Sequence, residues 1–189
     1  MSGAARPHVL GIDDAPFDKG QHDPVPIVGV MMEGCDLVES IAIGAFPVDG
    51  DGATDFLGDW ISGLRAFSSV QAIVLGGITI AGLGLIDIES LSTRLGVPVL
   101  TVTRRDPATS QLADALESAG LRERLPMATG APRAFRLVDG LYISHAGTDR
   151  KQAARLVEAT LRKSRLPEPL RIAHLVARAL VTGESRGRV

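Results

Sequence analysis

Carboxylates near the start of the chain have the types and positions needed to bind a divalent cation. Asp13 ends a short apolar run, HVLGID, that is typical of a buried strand, and Asp14 follows it. A carboxylate at the end of a central strand can hold Mg²⁺ or Mn²⁺, and such an ion can activate water. The same DDAP sequence also favours a turn, so these residues could end the strand without binding anything.

Three further aspartates lie between a predicted strand and a predicted helix. Asp49, Asp51 and Asp55 occur in the segment PVDGDGATD. Carboxylates at such a junction can supply a second metal ligand. They can equally cap the helix and interact favourably with its dipole. The sequence leaves both interpretations open.

The segment LPEPLRIAH begins the last predicted helix and carries the third group of candidates. Pro169 suits the first turn of a helix, and Glu168 lies at the positive end of the helix dipole. The spacing of Arg171, His174 and Arg178 places them on one helix face. Two neighbouring guanidinium charges should disfavour protonation of the imidazole, which would suit a metal ligand. A solvated polar stripe is the alternative interpretation.

The elements that must position these residues follow from hydrophobic periodicity and turn residues. Strands are predicted at 8–13, 25–32, 36–48, 72–77 and 97–103, with the second and third pairing antiparallel. Helices are predicted at 52–67, 85–96, 108–120 and 148–164, the second closed by Gly96 and the fourth capped by Thr148. Segment 135–144 predicts a hairpin around Asp139-Gly140, or a strand reversal at the sheet edge. The last helix ends near Thr182-Gly183.

This order of elements predicts an α/β fold in a single domain, residues 1–189. Three clustered strands followed by alternating helices and strands form a mixed sheet. The order resembles that of a ribonuclease H-like domain. We therefore expect a mixed five-stranded sheet flanked by helices, with an added C-terminal hairpin and helices.

Composition limits the class of protein. Of the 189 residues, 45% are hydrophobic and 4% are aromatic, so the chain should fold around an aliphatic core. Cys35 is the only cysteine, which excludes an intrachain disulfide framework or a cysteine zinc site and fits a reducing cytoplasm. The N-terminus has no signal-peptide pattern, and the apolar run at 72–86 is too short to span a membrane.

Charge is divided unevenly along the chain. Residues 1–100 carry 4 basic and 13 acidic side chains, whereas residues 101–189 carry 16 basic and 9 acidic ones. A carboxylate metal site beside a phosphate-binding surface would produce this pattern. Two solvated faces of one domain would produce it as well.

The closing segment SRLPEPLRIAH is similar to that of the endonuclease V family, where an R-x-P-E-P-x-R-x-A-(D/H) pattern delivers the last metal ligand. The resemblance implies this role for His174. VLGIDD resembles the family's first strand, which implies that Asp13 binds metal. VPVLTVTRRDP resembles the segment in which a strand ends with a catalytic Lys, and here Arg104 takes that place with Arg105 beside it.

A closer resemblance is to the sister family called endonuclease dU, in the segments GIDDAPF, VDG, ATD, GITIAG, PEPLRIAHL and GESRGR. One departure from endonuclease V affects the expected chemistry. The fourth strand of endonuclease V ends in a metal-binding Asp followed by Gly, but the matching segment AIVLGGITIAG has Gly76 at that position. We also find no counterpart of the tyrosine-bearing loop with which endonuclease V opens damaged DNA.

The resemblance implies a Mg²⁺- or Mn²⁺-dependent endonuclease acting on DNA or RNA that contains deaminated bases. The residues implied are Asp13, Arg104 and Arg171 for catalysis, Asp13 and His174 for metal, and Arg104, Arg105 and Arg171 for phosphate. A metal-binding glutamate of endonuclease V has no clear match here. One of Asp49, Asp51 and Asp55 could replace it, and we take Asp49 and Asp51 as the candidates. The alternative is a catalytically impaired nucleic-acid-binding protein on the same fold, using the cations of its second half, Arg150, Lys151, Arg155, Arg162 and Lys163 among them. An interaction protein without a nucleic-acid role is the third possibility.

Overall fold

A computed structural model of the chain describes residues 6–18, 20, 22–105, 107, 109–138, 140–162 and 164–186. Within these residues the strands are β1 (His8–Asp14), β2 (Val25–Glu33), β3 (Leu37–Phe46), β4 (Ala72–Leu75), β5 (Thr79–Ile80), β6 (Gly84–Leu85), β7 (Val99–Thr103), β8 (Phe135–Val138) and β9 (Leu141–Ala146). The α-helices are α1 (Ala53–Ser62), α2 (Ile88–Leu95), α3 (Thr109–Ser118), α4 (Leu125–Gly130), α5 (Arg150–Glu158) and α6 (Glu168–Thr182). Short 3₁₀ turns lie at Phe67–Ser69 and Arg122–Arg124.

Seven strands form one mixed sheet in the order β3-β2-β1-β4-β7-β9-β8. β1, β4 and β7 run parallel to each other, and β2, β3, β9 and β8 pair antiparallel with their neighbours. The five predicted core strands and the predicted antiparallel pairing of β2 with β3 are confirmed. The predicted hairpin extends this sheet at its edge, although Asp139 of its turn lies outside the described residues. The small β5–β6 pair was not predicted.

The central strands are buried because helices cover both faces of the sheet. Val9, Ile73, Val74 and Leu100 are completely buried. Near-continuous apolar runs are expected for parallel strands covered on both faces. Polar side chains within or at the end of these strands are therefore exceptions that need an explanation.

Gly11 allows the last helix to lie unusually close to β1. A Cβ atom at Gly11 would lie 2.3 Å from the backbone nitrogen of Leu170 and 2.3 Å from the carbonyl carbon of Pro169. No other residue type could occupy this position without moving the helix. The first turn of α6 is thereby fixed over the strand that carries Asp13, two residues further on.

Two predicted helix limits are corrected by the local hydrogen bonding. The first helix does not reach residue 67, because it ends at Ser62 with Gly63 as its C-cap. Thr148 is not the cap of α5. Asp149 has this role, and its carboxylate accepts a hydrogen bond of 2.7 Å from the backbone N–H of Gln152. The prediction for Gly96 is confirmed, because it ends α2 in the left-handed conformation with φ at 69°.

Helices α3 and α4, which we call the helical cap, have a small apolar core of their own. Leu116 and Ala128 pack there with Leu85 of β6. Arg124 joins the cap to the body by donating to the carbonyl oxygens of Asp49 and Leu83 at 2.9 and 2.8 Å. The described residues contain no helix with both the length and the hydrophobicity needed to cross a bilayer.

Candidate active site

A cavity of about 530 Å³ opens where β1, β4 and β7 end. We call it the arginine cavity. Its wall includes five residues named from the sequence, from distant parts of the chain, namely Asp13, Arg104, Arg105, Arg171 and His174. Gly76, which the resemblance to endonuclease V matches to a metal-binding aspartate, also lines it. The fold thus gathers one carboxylate, one imidazole and three guanidinium groups around one space.

Asp13 and His174 are in direct contact across this cavity. Nδ1 of His174 lies 2.7 Å from Oδ2 of Asp13, although 161 residues separate them in the sequence. This hydrogen bond raises the pKa of His174, and the positive charges of Arg178 and Arg104 oppose the rise without cancelling it. The arginines do disfavour protonation of His174 as expected, but the hydrogen bond to the Asp13 carboxylate has the larger effect, so the pKa of His174 rises instead of falling.

Asp14 follows Asp13 but has a different environment. Its Oδ2 accepts a hydrogen bond of 2.9 Å from the backbone N–H of Ala81, a non-glycine residue with a φ of 48°. Burial raises the pKa of Asp14 to about 6, and the nearby charge of Asp13 adds to the rise. Asp14 thus holds the loop after β5.

The other candidate carboxylates do not line the arginine cavity. Asp49 accepts a hydrogen bond of 2.7 Å from the backbone N–H of Leu83 and lines a separate cavity of about 550 Å³. Asp51 is exposed, and Asp55 pairs with Arg94 at 3.2 Å. No group of three or more His, Cys, Asp or Glu side chains suited to a metal ion occurs within the described ranges.

Glu168 holds Arg171 in place at the start of α6. Oε2 of Glu168 accepts from Nε and Nη2 of Arg171 at 2.9 and 2.6 Å. The Glu168 side chain is 5% exposed, whereas that of Arg171 is 26% exposed. A buried carboxylate therefore fixes a guanidinium group that still reaches the cavity. The spacing of three residues within one helix was the signal for this pair, which the sequence analysis did not use.

Arg104 and Arg105 follow β7 directly and are exposed. A hydrogen bond holds the backbone turn that contains both arginines. The hydroxyl of Thr103 donates to the carbonyl oxygen of Arg105 at 2.8 Å. Their guanidinium groups add positive charge to the cavity rim. Among the predicted surface cations, Arg150 stacks on the Phe135 ring at 4.3 Å, and Lys163 lies outside the described residues.

A second cavity, of about 400 Å³, lies between the helical cap and the sheet. It adjoins the arginine cavity, and Thr103, Pro107 and Leu112 line both. Thr101 and Ser144 lie in its wall. Sequence analysis missed these two residues, although hydroxyl side chains at inward positions of the apolar strands VLTVT and LYISHA were a usable signal.

Gly76 has room for a side chain. A Cβ atom there would have one neighbour within 4 Å, Oδ1 of Asp13 at 3.8 Å. Its φ is not in the left-handed range that would demand glycine. Neither packing nor backbone conformation therefore explains the glycine at this position.

Comparison with known proteins assigns the family. A family model described as Endonuclease dU matches residues 5–181. The chain belongs to the endonuclease dU family. A UPF0215 protein of Methanothermobacter thermautotrophicus is similar to this endonuclease dU family member over nearly its whole length. It is 35% identical over 183 residues, which are 95% of this chain and 90% of that protein.

Solved structures confirm the ribonuclease H-like fold of this endonuclease dU family member. A crystal structure of a protein from Archaeoglobus fulgidus has a TM-score of 0.82 and 32% identity, covering 93% of this chain and 99% of that one. Endonuclease V of Ciona intestinalis, solved with a 24-mer DNA that contains inosine followed by ribo-adenosine, has a TM-score of 0.59 and 15% identity. That alignment covers 97% of this chain and 89% of the Ciona chain, so the two share the fold across its whole extent.

Proposed function

We propose that the protein is a Mg²⁺- or Mn²⁺-dependent endonuclease acting on nucleic acid that contains deaminated bases. The observation that carries the proposal is the convergence of Asp13, Arg104, Arg171 and His174 in one cavity. Their positions in the sequence match motifs of a nuclease family. The Ciona endonuclease V, which shares the fold, was solved with inosine-containing DNA.

The donor atoms in the cavity fit a weakly held ion. Oδ2 of Asp13 and Nδ1 of His174, which share a hydrogen bond of 2.7 Å, are an oxygen and a nitrogen donor that would hold an ion in place of the shared proton. Mg²⁺ commonly binds through one or two carboxylates and completes its coordination with substrate phosphates and water. When bound, the ion would lower the pKa of a water molecule and stabilise negative charge on the phosphate.

The arginines would bind and orient the phosphate. Each guanidinium group can form two parallel hydrogen bonds to phosphate oxygens. Arg171 is pre-oriented by the buried carboxylate of Glu168, so little side-chain entropy is lost when it binds. Arg104 and Arg105 add positive charge that favours the more highly charged transition state.

The second cavity supports the proposal because an enzyme that extrudes a base from nucleic acid holds that base in a pocket. Its volume of about 400 Å³ falls in the range of small-molecule sites. It adjoins the arginine cavity at Thr103 and Pro107. A nucleotide with its phosphate in one cavity and its base in the other fits this arrangement.

A catalytically impaired nucleic-acid-binding protein is the alternative, and Gly76 favours it. No carboxylate takes the place of the missing aspartate among the described residues that line the arginine cavity. Two-metal hydrolysis usually uses more carboxylates than Asp13 alone. The arginines would still bind phosphate with a strong dependence on salt.

The deciding experiment is cleavage of labelled DNA and RNA carrying one inosine or one uracil, with Mg²⁺, Mn²⁺ or EDTA. We expect cleavage with either metal, none in EDTA, and a loss of at least 100-fold in Asp13→Ala. Gly76→Asp is the matched variant, because its new carboxylate would lie beside Asp13 without a clash. Salt-dependent binding without cleavage in the wild type, together with cleavage by Gly76→Asp, would establish the impaired binder instead.

A further inference from the structure

Two buried residues in the wall of the second cavity carry hydroxyl groups that have no partner among the described residues. Thr101 and Ser144 are 4% and 5% exposed and lie directly opposite each other in the β7–β9 pairing. Both line the second cavity. Neither hydroxyl forms a hydrogen bond with any other residue that the structure describes.

Two other buried hydroxyl groups behave differently, whereas the hydroxyl oxygen of Ser185 is enclosed without a partner. Ser92 is 4% exposed and donates to the carbonyl oxygen of Val97 at 2.8 Å. Thr160 is completely buried and donates to the carbonyl oxygen of Val157 at 2.8 Å. Burying a polar group without a hydrogen bond opposes folding, so buried hydroxyls usually have partners. The hydroxyl oxygens of Thr101 and Ser144 are not fully enclosed, because both residues line the second cavity, where a ligand could pair with them.

We propose that Thr101 and Ser144 form a polar contact that reads the hydrogen-bonding edge of a nucleobase held in the second cavity. The inference rests on the proposed function and adds the residues that determine base specificity. Each hydroxyl can donate one hydrogen bond and accept another. Together they match an edge on which an N–H lies next to a carbonyl oxygen, which is the edge that deamination creates in uracil and hypoxanthine.

The rest of the cavity suits the faces of a flat heterocycle. Ile78, Leu112 and Ala128 provide apolar wall, and the two hydroxyls provide polar groups at one place. A site with buried polar groups rejects ligands that cannot pair with them, because the groups stay unsatisfied. The pair therefore favours a base with a polar edge over an apolar base of equal shape.

The first test needs no ligand and concerns the stability of the free protein. Thr101→Val and Ser144→Ala remove hydroxyls that lack protein partners, so we expect the melting temperature to stay the same or rise. Thr160→Val is the matched control, because it removes a hydroxyl with a partner and should lower the melting temperature. A decrease in Thr101→Val as large as that in Thr160→Val would overturn the inference.

The second test measures binding in EDTA, so that no metal-dependent cleavage interferes. The probes are single-stranded oligonucleotides with one central uracil or one 2,4-difluorobenzene nucleotide, which has the shape of uracil but no N–H or carbonyl group. We expect wild-type protein to bind the uracil oligonucleotide at least tenfold more tightly. The double variant T101V/S144A should bind both equally, with affinity for the apolar oligonucleotide within twofold of wild type.

The outcomes separate this inference from the proposed function. If wild type binds both oligonucleotides equally, or if the double variant keeps the preference for uracil, the hydroxyl pair does not read the base. If wild type binds neither oligonucleotide in EDTA and cleaves no inosine- or uracil-containing substrate with Mn²⁺, the proposed function fails and the inference fails with it. A preference that is lost together with the two hydroxyls supports both.

Discussion

Asp13 and Asp14 are neighbours in sequence, but strand geometry directs their side chains to opposite faces of β1. Asp13 contacts His174 at 2.7 Å, in the arginine cavity. Asp14 accepts a hydrogen bond from Ala81 and stabilises a loop instead. Because alternate residues of a strand face opposite sides of the sheet, Asp13 faces the arginine cavity and Asp14 faces the loop that it stabilises.

The ionisation of Asp14 should weaken the fold. Because burial raises its pKa from 3.8 to about 6, the folded state binds the proton more tightly than the unfolded chain does. The free energy of unfolding should therefore fall as pH rises from about 4 to 6. Above that range Asp14 is ionised in both states, and this destabilisation no longer changes with pH. Asp14→Asn keeps an oxygen that can accept from Ala81, so we expect it to stabilise the protein at pH 8, by at most about 3 kcal/mol.

Urea unfolding at pH 4 and pH 8 measures this effect. At pH 4 the two proteins should be nearly equal in stability, because the carboxyl group is largely protonated in the folded state. Asp51→Asn is the control, since Asp51 is exposed and its substitution should change stability at neither pH. A loss of stability in Asp14→Asn at pH 8 would contradict the account.

The environment of His174 shows what a single chain segment cannot reveal. The helix pattern correctly placed His174 near Arg171 and Arg178, but it gave no information on a contact with a residue 161 positions away. That contact determines the direction of the pKa change. Local sequence thus predicts which face a side chain occupies, whereas its protonation depends on tertiary packing.

At the scale of elements, the packing of α6 against β1 determines how His174 lies relative to Asp13. The close approach of the helix at Gly11 fixes the position of His174 relative to Asp13. The prolines of LPEPL were correctly interpreted as the start of this helix. The need for glycine at position 11 could not be predicted, because it arises from a helix that lies about 160 residues further along the chain.

Gly11→Ala should displace α6 from the sheet. The added methyl group would lie 2.3 Å from backbone atoms of Pro169 and Leu170, which cannot move aside as a side chain could. We expect a loss of about 1–3 kcal/mol in unfolding free energy, as for other overpacked sites. The contact between Asp13 and His174 should weaken too, and the pKa of His174 should fall towards 6.5.

Urea unfolding and titration of the His174 ring by NMR measure the two effects. Gly130→Ala is the matched control, because a Cβ atom there would have no neighbour within 4 Å. If Gly11→Ala left both the stability and the His174 titration unchanged, α6 would not be positioned in the way described.

At the scale of the whole molecule, the uneven charge distribution acquires a structural meaning. Asp13 comes from the acidic first half of the sequence, whereas Arg104, Arg105 and Arg171 come from the basic second half. The parallel pairing of β1, β4 and β7 brings the ends of these segments together. One carboxylate of the acidic half therefore lies beside three cations of the basic half, whereas the expected carboxylate-rich region does not form among the described residues of this cavity.

The fold was more predictable than the site. Hydrophobic periodicity predicted the order of strands and helices, because each element must bury an apolar face. Position and spacing made Asp13, Arg171 and His174 candidates, and resemblance to a family added Arg104. The structure brings all four to one cavity. Neither signal identified Thr101 and Ser144, which become a pair only when β7 and β9 align in register.

The central claim is that Asp13 and His174 hold a divalent ion whose coordination a bound phosphate completes. The most direct test is Mn²⁺ binding, followed by electron paramagnetic resonance, with and without a phosphorothioate oligonucleotide that resists cleavage. We predict weak binding by the protein alone, at least tenfold tighter binding with the oligonucleotide, and loss of this gain in Asp13→Ala. Equal Mn²⁺ binding by wild type and Asp13→Ala in the presence of the oligonucleotide would contradict the claim.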